Sequence, residues 1–337
     1  MHDRHDLTDA EWARLEPLLP DRAPRRGGRW GDHRQMINGV LWRTRTGAPW
    51  RDVPTSYGNW KGLYSRHRRW SGDGTWEVIL DRLRAGCDEG DGPRNGPSVS
   101  TRAWSALIST PPAPVTSHPR TSPPSGWRRC CPPIRSPTRS PRFRRSPRAT
   151  QGAGSNYKNP DSPPPAQVDR EGLGRSRGGL STKIHLLADT RCRPLARGTT
   201  AGQRHDSIAF EPLIQRLRIR RRGRGRPRTR PGRLLADKAY SNQAIRSYLR
   251  RRQIKATIPQ KSDQQKARAA KGSAGGRPPA FDPEAYKQRN TTERAHNRLK
   301  AFRAVAMRTD KREFVYNGTI DVASIRIWLR HPSNEDP

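Results

Sequence analysis

Acidic residues and apolar residues are both scarce in this 337-residue chain. It carries 30 Asp plus Glu against 68 Lys plus Arg, a net charge of +38. Only 31% of its residues are hydrophobic, and the mean hydropathy is −1.06. No apolar run approaches the roughly 20 residues that cross a bilayer, so a membrane partner is not expected. The start, Met1-His2-Asp3-Arg4-His5-Asp6, lacks the apolar core of a signal peptide, and the reading is cytoplasmic. Four cysteines (Cys87, Cys130, Cys131 and Cys192) make no pair of C-x-x-C spacings and have no matching histidines. This excludes a zinc module and a disulfide framework. Aromatic stacking motifs on alternating strands, expected of a sheet that reads RNA, are absent too.

What remains is positive charge, and it favours polyanions through counterion release. The excess is not confined to one stretch. Leaving out residues 98–168, with 11 basic residues and one acidic residue, lowers the net charge from +38 to +28. Charge of this kind holds double-stranded DNA but does not specify its sequence.

The lack of core residues is concentrated in that same stretch. Residues 98–168 hold 15 of the 32 prolines and a single carboxylate, Asp161. Neighbours such as Arg135-Ser136-Pro137 and Arg139-Ser140-Pro141 recur without a hydrophobic period. Such text cannot bury enough surface to offset its ordering entropy. Two readings stand: a disordered basic linker, or a reading-frame slip in a GC-rich gene, which the abrupt return to ordinary sequence at Leu173 favours. Either predicts irregular structure from about 101 to 165.

Residues 1–90 read as a small all-α domain. Thr8-Asp9-Ala10-Glu11 is a capping box with a Leu7–Trp12 staple. Trp12, Leu15, Leu18 and Leu19 follow as one apolar side. A second helix carries Met36, Ile37, Val40 and Leu41 and ends at Gly47. A third, near 56–71, aligns Trp60, Leu63, Tyr64 and His67 and presents Lys61, Arg66, Arg68 and Arg69. A fourth starts at Thr75. A basic, aromatic-bearing helix among short helices suits a helix-turn-helix-like DNA binder; a helical scaffold with a wet basic face is the plain alternative.

Residues 171–332 alternate strands and helices. Ile184, Leu186 and Ala188 alternate on a strand over 181–188, and an extended piece near 193–199 pairs with it. A helix over 206–217 follows, then a short apolar strand ending at Asp237, a helix from Ser241 and a strand over 254–258. Strand ends are where α/β sheets place ligands. Histidines 185 and 205 read as structural, the latter as a helix-start cap beside Asp206. The basic stretch Lys266 to Pro279 reads as a mobile loop. The run Arg220-Arg221-Arg222-Gly223-Arg224-Gly225-Arg226-Pro227-Arg228 is similar to an AT-hook core, but a solvated loop touching phosphates is the plainer reading.

The last helix is the most informative. Asp282 can cap it, with Pro283 and Glu284 in its first turn. With Tyr286 at 0° and about 100° per residue, Arg289 falls near 300°, Glu293 near 340° and Lys300 near 320°. Ala295, Leu299 and Phe302 face the opposite way. A lone carboxylate among cations and a phenol suits metal and phosphate chemistry; a solvated charged face is the alternative.

This spacing resembles the Y-(2)-R-(3)-E-(6)-K motif of the DDE transposases of the IS4/IS5 superfamily. Leu235-Ala236-Asp237-Lys238-Ala239-Tyr240 matches the segment of the family's second Asp. Leu173 to Lys183, Gly202 to Asp206, Met307 to Arg312 and Gly47 to Pro54 are similar to the IS5-type family as well. The resemblance implies an RNase H-like catalytic domain and metal-dependent cutting and joining of DNA at transposon ends. It implies two Mg²⁺ ions held by Asp237 and Glu293, with Arg289 and Lys300 on DNA phosphates and Tyr286 beside them. Terminal repeats and target DNA are the implied partners, and a homo-oligomer the implied working form. The family's first Asp belongs on the opening strand, at Pro97 to Trp104, where Ser100 stands instead. Severely impaired activity is therefore expected. The alternative is a non-catalytic DNA-binding protein, a transposase remnant or inhibitor.

Overall fold

The computed structural model describes residues 4–21, 31–85, 103–108, 113–114, 170–176, 179–221, 223–287 and 289–330, of which 103–108, 113–114, 170 and 176 are described as backbone only. The compact unit considered below comprises residues 1–116 and 167–337.

The helices of the first 85 residues fall where the sequence puts them. Helix α1 (Asp9–Leu15) starts in the expected capping box, with Thr8 and Glu11 each bonding the other's backbone N–H. Helix α2 (His33–Thr46) ends at Gly47, whose φ of 71° closes the last turn in the left-handed region. Helix α3 (Trp60–Gly72) starts later than predicted because Asn59 supplies the cap. Helix α4 (Thr75–Leu83) follows across the two residues Asp73 and Gly74.

Among the described residues, seven strands form one sheet: β1 (Ala103–Ile108), β2 (Ala113–Pro114), β3 (Gly174–Ser176), β4 (Gly179–Ala188), β5 (Pro194–Ala201), β6 (Arg233–Leu235) and β7 (Lys255–Thr257). Across the sheet the order is β5-β4-β1-β6-β7. Strand β4 runs antiparallel to both its neighbours, while β1, β6 and β7 are parallel. The short strands β2 and β3 add to the start of β4.

Strand β1 corrects the prediction of irregular structure from about 101. It is six residues long and lies in the middle of the sheet, between β4 and β6. The prolines explain the difference: none occurs from 98 to 110, and the first is Pro111. Without them Ala-Trp-Ser-Ala-Leu-Ile is free to donate and accept on both edges. Ser100 and most of the proline-rich segment lie outside the described residues.

The helices of this part are α5 (Phe210–Gln215), α6 (Gln243–Arg251), α7 (Ser262–Ala270), α8 (Pro283–Lys287), α9 (Asn290–Lys300), α10 (Arg303–Ala306) and α11 (Glu313–Arg330), of which α5, α6, α9 and α11 pack on the sheet. Two of them correct the sequence reading. Helix α7 occupies part of the stretch expected to be a loop. Its Ala, Gln, Lys and Arg residues are strong helix formers, although it buries none of them. The Glu293 helix is described as two segments, α8 and α9, with Arg289 between them.

The alternation of β4 divides the core. Ile184, Leu186 and Ala188 pack with Ala295, Leu299 and Phe302, whereas Leu187 on the other face joins Leu195, Phe210 and Leu234. Helix α11 reaches both sides: Tyr316 and Ile320 belong to the first cluster, Ile325 and Trp328 to the second. Apolar around most of its circumference, it is buried along nearly its whole length.

The N-terminal helices share that second cluster, through Leu15, Val40, Leu63, Trp70 and Trp76. Buried charge also ties them to α11 and the turn before it. Arg43 donates to both Asp310 oxygens (3.0 and 2.9 Å) and to Thr309 (2.7 Å). Arg326 donates to Glu11 at 2.5 Å, and His67 meets the Thr319 hydroxyl at 3.1 Å.

Candidate functional site

Two elements carry the carboxylates that the sequence singles out. Asp237 follows the end of β6 and accepts the Lys238 backbone N–H at 2.7 Å, turning the chain away from the sheet. Glu293 lies in the first turn of α9, exposed, and accepts from Arg289 Nη2 at 2.6 Å. That i,i+4 pair is the arc read from the helical spacing. The Arg289 guanidinium also stands 5.9 Å from the Tyr286 ring centre.

Tyr286 connects the two elements. Its phenol is held above the ordinary tyrosine range, first by burial, and also by the nearby charges of Asp237 and Glu293 against the opposing pull of Arg289. Asp237, Arg289 and Glu293 thus all act on Tyr286. Asp282 performs the predicted cap, accepting from the Ala285 N–H at 3.0 Å, and pairs with Arg233 of β6 at 2.6 Å. This fastens the start of α8 to the strand that leads to Asp237.

Lys300 is the outlying member. It is half-buried at the far end of α9, and its charge acts on His296. No ion pair joins it to Glu293 among the described residues. Asp206 is a neighbour that the sequence reading left as part of a turn. The Tyr240 hydroxyl is pushed far up by burial, with Asp206 and Asp237 both adding to it. Asp206 is itself neutralised by Lys183 at 2.9 Å. The stretch Gly202 to Asp206 carried that signal only as part of a resemblance. His205 caps as predicted, its Nδ1 accepting the Ser207 N–H at 3.2 Å.

Among the described residues no group of three His, Cys, Asp or Glu side chains could hold a metal ion. Asp237 and Glu293 are each occupied by a hydrogen-bond donor, and β1, which lies next to β6, contains no carboxylate.

The basic residues of α3 divide into two groups. Leu63, His67 and Trp70 face inward, which leaves Lys61, Arg68 and Arg69 exposed. Arg66 is half-buried instead, with its guanidinium 5.6 Å from the Trp70 ring and 3.2 Å from His33 Nδ1. Burial first, then the charge of Arg69, lowers its pKa to about 10. No described helix is long and apolar enough to cross a membrane.

The charges of a strand-end Asp and a helical Glu both act on Tyr286, and comparison places the chain in a family. Residues 137–323, more than half of the chain, match the family described as Transposase DDE domain, and residues 7–80 match the Putative transposase of IS4/5 family. The chain belongs to the IS4/IS5-family DDE transposases.

Two similar curated proteins are named as putative transposases. A putative transposase for insertion sequence element IS6501 of Brucella ovis is 28% identical over 151 residues, 45% of this chain and 100% of that protein. A putative transposase for IS402 of Burkholderia cepacia is 31% identical over 142 residues, 42% of this chain and 59% of that protein. An IS402 uncharacterized 16.2 kDa protein of the same organism is 36% identical over 89 residues. That match spans 23% of this chain and 60% of the relative. The chain thus spans less than two thirds of either IS402 protein. No solved structure matches it.

Proposed function

We propose that this protein is an insertion-sequence transposase that binds DNA but whose strand-cutting centre is incomplete. The observation that carries the reading is the pairing of Asp237 and Glu293 around Tyr286, beside a strand that offers no third carboxylate. The strand order β5-β4-β1-β6-β7, with only β4 antiparallel to its neighbours, supports an RNase H-like domain.

Members of the family cleave phosphodiesters with divalent metal, normally Mg²⁺ held by three carboxylates. Here Asp237 and Glu293 are the ligands that remain, and β1, whose Ser105 is level with Leu235 of β6, offers no carboxylate beside them. Two carboxylates hold a pair of hard cations poorly. Arg289 keeps Glu293 in place, and with Lys300 it would meet DNA phosphate. Lys61, Arg68 and Arg69 on α3 supply a second phosphate-binding face, and Arg66 stiffens that helix against Trp70. In this reading residues 1–90 recognise transposon ends and 171–332, joined by β1 from the disturbed stretch 91–170, form the catalytic region, working on DNA in the cytoplasm as an oligomer. A non-catalytic DNA-binding protein, a remnant or an inhibitor, is what the same chain becomes when cutting is lost entirely.

Gel shifts and end-cleavage assays test this. Duplex binding is expected, weakening by about 10³-fold or more between 50 and 200 mM salt if six or more phosphates are neutralised. No cleavage is expected with Mg²⁺ or Mn²⁺. Metal-dependent, end-specific cleavage by this chain would show that another carboxylate completes the site.

A further inference from the structure

The arginine run from 220 to 228 takes no part in the site above, yet its ends are held firmly. Ile219 is buried in the core and exchanges both backbone hydrogen bonds with Arg228, at 3.0 and 2.9 Å. The chain returning toward β6 is fastened to the end of α6. There Arg230 donates to Gln253 Oε1 at 2.9 Å, and Arg252 donates to the Thr229 carbonyl at 3.1 Å. Between these anchors Arg220, Arg221 and residues 223–227 are all exposed. The segment is a hairpin with a fixed base and a solvated tip.

Its charge has no counterpart in the chain around it. From 212 to 236 there are ten arginines and no carboxylate. None of the ion pairs among the described residues involves Arg221, Arg224 or Arg226. Exposed Arg250 and Arg251 extend the basic surface from the same end of α6. Like charges gathered as Arg221, Arg224 and Arg226 are, outside any of these ion pairs, favour a polyanion.

The tip narrows the choice of polyanion. Gly225 has a φ of 146°, a conformation strained for any residue with a side chain, and it separates Arg224 from Arg226. Two guanidinium groups flanking a bare backbone make a thin strip. The minor groove of B-DNA is only about 6 Å wide, and in A·T tracts it narrows further and concentrates the negative potential that draws arginine in.

We infer that the Arg220–Arg228 hairpin is a minor-groove arm for A·T-rich duplex DNA. The inference rests on the DNA-binding reading above and adds a contact remote from the carboxylates. Nine residues separate Arg228 from Asp237, at most about 30 Å of extended chain. The arm therefore reads DNA within about one helical turn, roughly 34 Å, of a strand held at Asp237 and Glu293.

The test uses the full chain and two duplexes of equal length, one with an A-tract and one G·C-rich, at fixed salt. The wild-type protein is expected to prefer the A-tract by about tenfold. The double variant Arg224→Lys/Arg226→Lys keeps the charge but loses the planar forks. It is expected to lose the preference while holding the G·C duplex within about twofold. Arg224→Ala/Arg226→Ala is expected to lose the preference too and to show a shallower salt dependence. Circular dichroism checks that each variant folds. Unchanged preference in the lysine variant would assign the arm to phosphates and overturn the inference. Equal binding of both duplexes by the wild type, or tighter binding of an RNA hairpin, would overturn it as well and leave DNA binding intact. Failure to bind any duplex would end both readings.

Discussion

Acid should weaken this fold well before its carboxylates begin to take up protons, because three histidines are buried as neutral rings. His67, His185 and His296 are almost fully enclosed. Burial is the main cause that lowers each to about 4. Around His67, Asp310 pulls the value back up and Arg43 pushes it down. Around His185, Asp206 and Lys183 oppose each other in the same way. Lys300 and His185 both lower His296. In the unfolded chain each ring titrates near 6.5. Below that pH the unfolded state binds protons that the native state refuses. The stabilisation is therefore complete above about 6.5 and is lost as the pH falls toward 4. At pH 5 the loss is about 2 kcal/mol for each ring, or about 6 kcal/mol for three. Domains are typically stable by about 5–15 kcal/mol, so most of the margin is at stake. Urea unfolding followed by tryptophan fluorescence at pH 7.5, 6 and 5, at constant ionic strength, measures it. Asp310 does not confuse the result. Burial pushes its carboxyl up, but Arg43 and the Thr319 hydroxyl more than offset that, so it takes up its proton only below the usual carboxylate range. His67→Phe should remove about a third of the slope. Stability that stays flat or rises between pH 7.5 and 5 would refute the reasoning.

Two further outcomes concern the joint between the N-terminal helices and α11. Asp310→Ala leaves the Arg43 guanidinium buried without its partner and should cost about 3–5 kcal/mol in chemical denaturation, so a loss below about 1 kcal/mol would mean that the pair is dispensable. Trp70→Ala removes a fully buried ring packed edge-on to Trp76 at 4.8 Å and should cost about 3–5 kcal/mol. Because α11 belongs to both cores, fluorescence and far-ultraviolet dichroism of that variant should report one coincident transition; two separate transitions would show that the helices melt on their own.

The sequence made local features plain. The capping box of α1, the Gly47 terminus, the alternation of β4 and the Arg289–Glu293 spacing each depend on residues within one turn or one strand, and the structure forms them. Features that depend on distant partners were hidden. Arg43 and Asp310 are 267 residues apart, and neither residue's neighbours mark it as half of a buried pair. The association of α2, α3 and α4 with α11 was invisible for the same reason. It shows only as one apolar side too many on each helix. Helix α7 was misread because its basic, glycine-flanked composition suggested a loop, while its helix-forming residues carried the opposite message. Strand β1 was missed because proline density was averaged across a boundary that lies at Pro111.

That strand also shows why fold and chemistry fail separately in such a chain. A central strand is held mainly by backbone N–H and C=O groups, which nearly any proline-free apolar run supplies. Ala-Trp-Ser-Ala-Leu-Ile meets that requirement and keeps β4 and β6 together. A metal ligand has no such latitude, since a divalent cation needs a carboxylate at one position and a neutral hydroxyl or alkyl group does not replace it. A change of sequence in such a strand would therefore remove a ligand first and the sheet last. On that argument the Asp237 strand end and the α9 helix stay in place around Tyr286 whether or not the protein cuts DNA. Their arrangement agrees with the family that the chain matches, and β1 beside β6 carries no carboxylate.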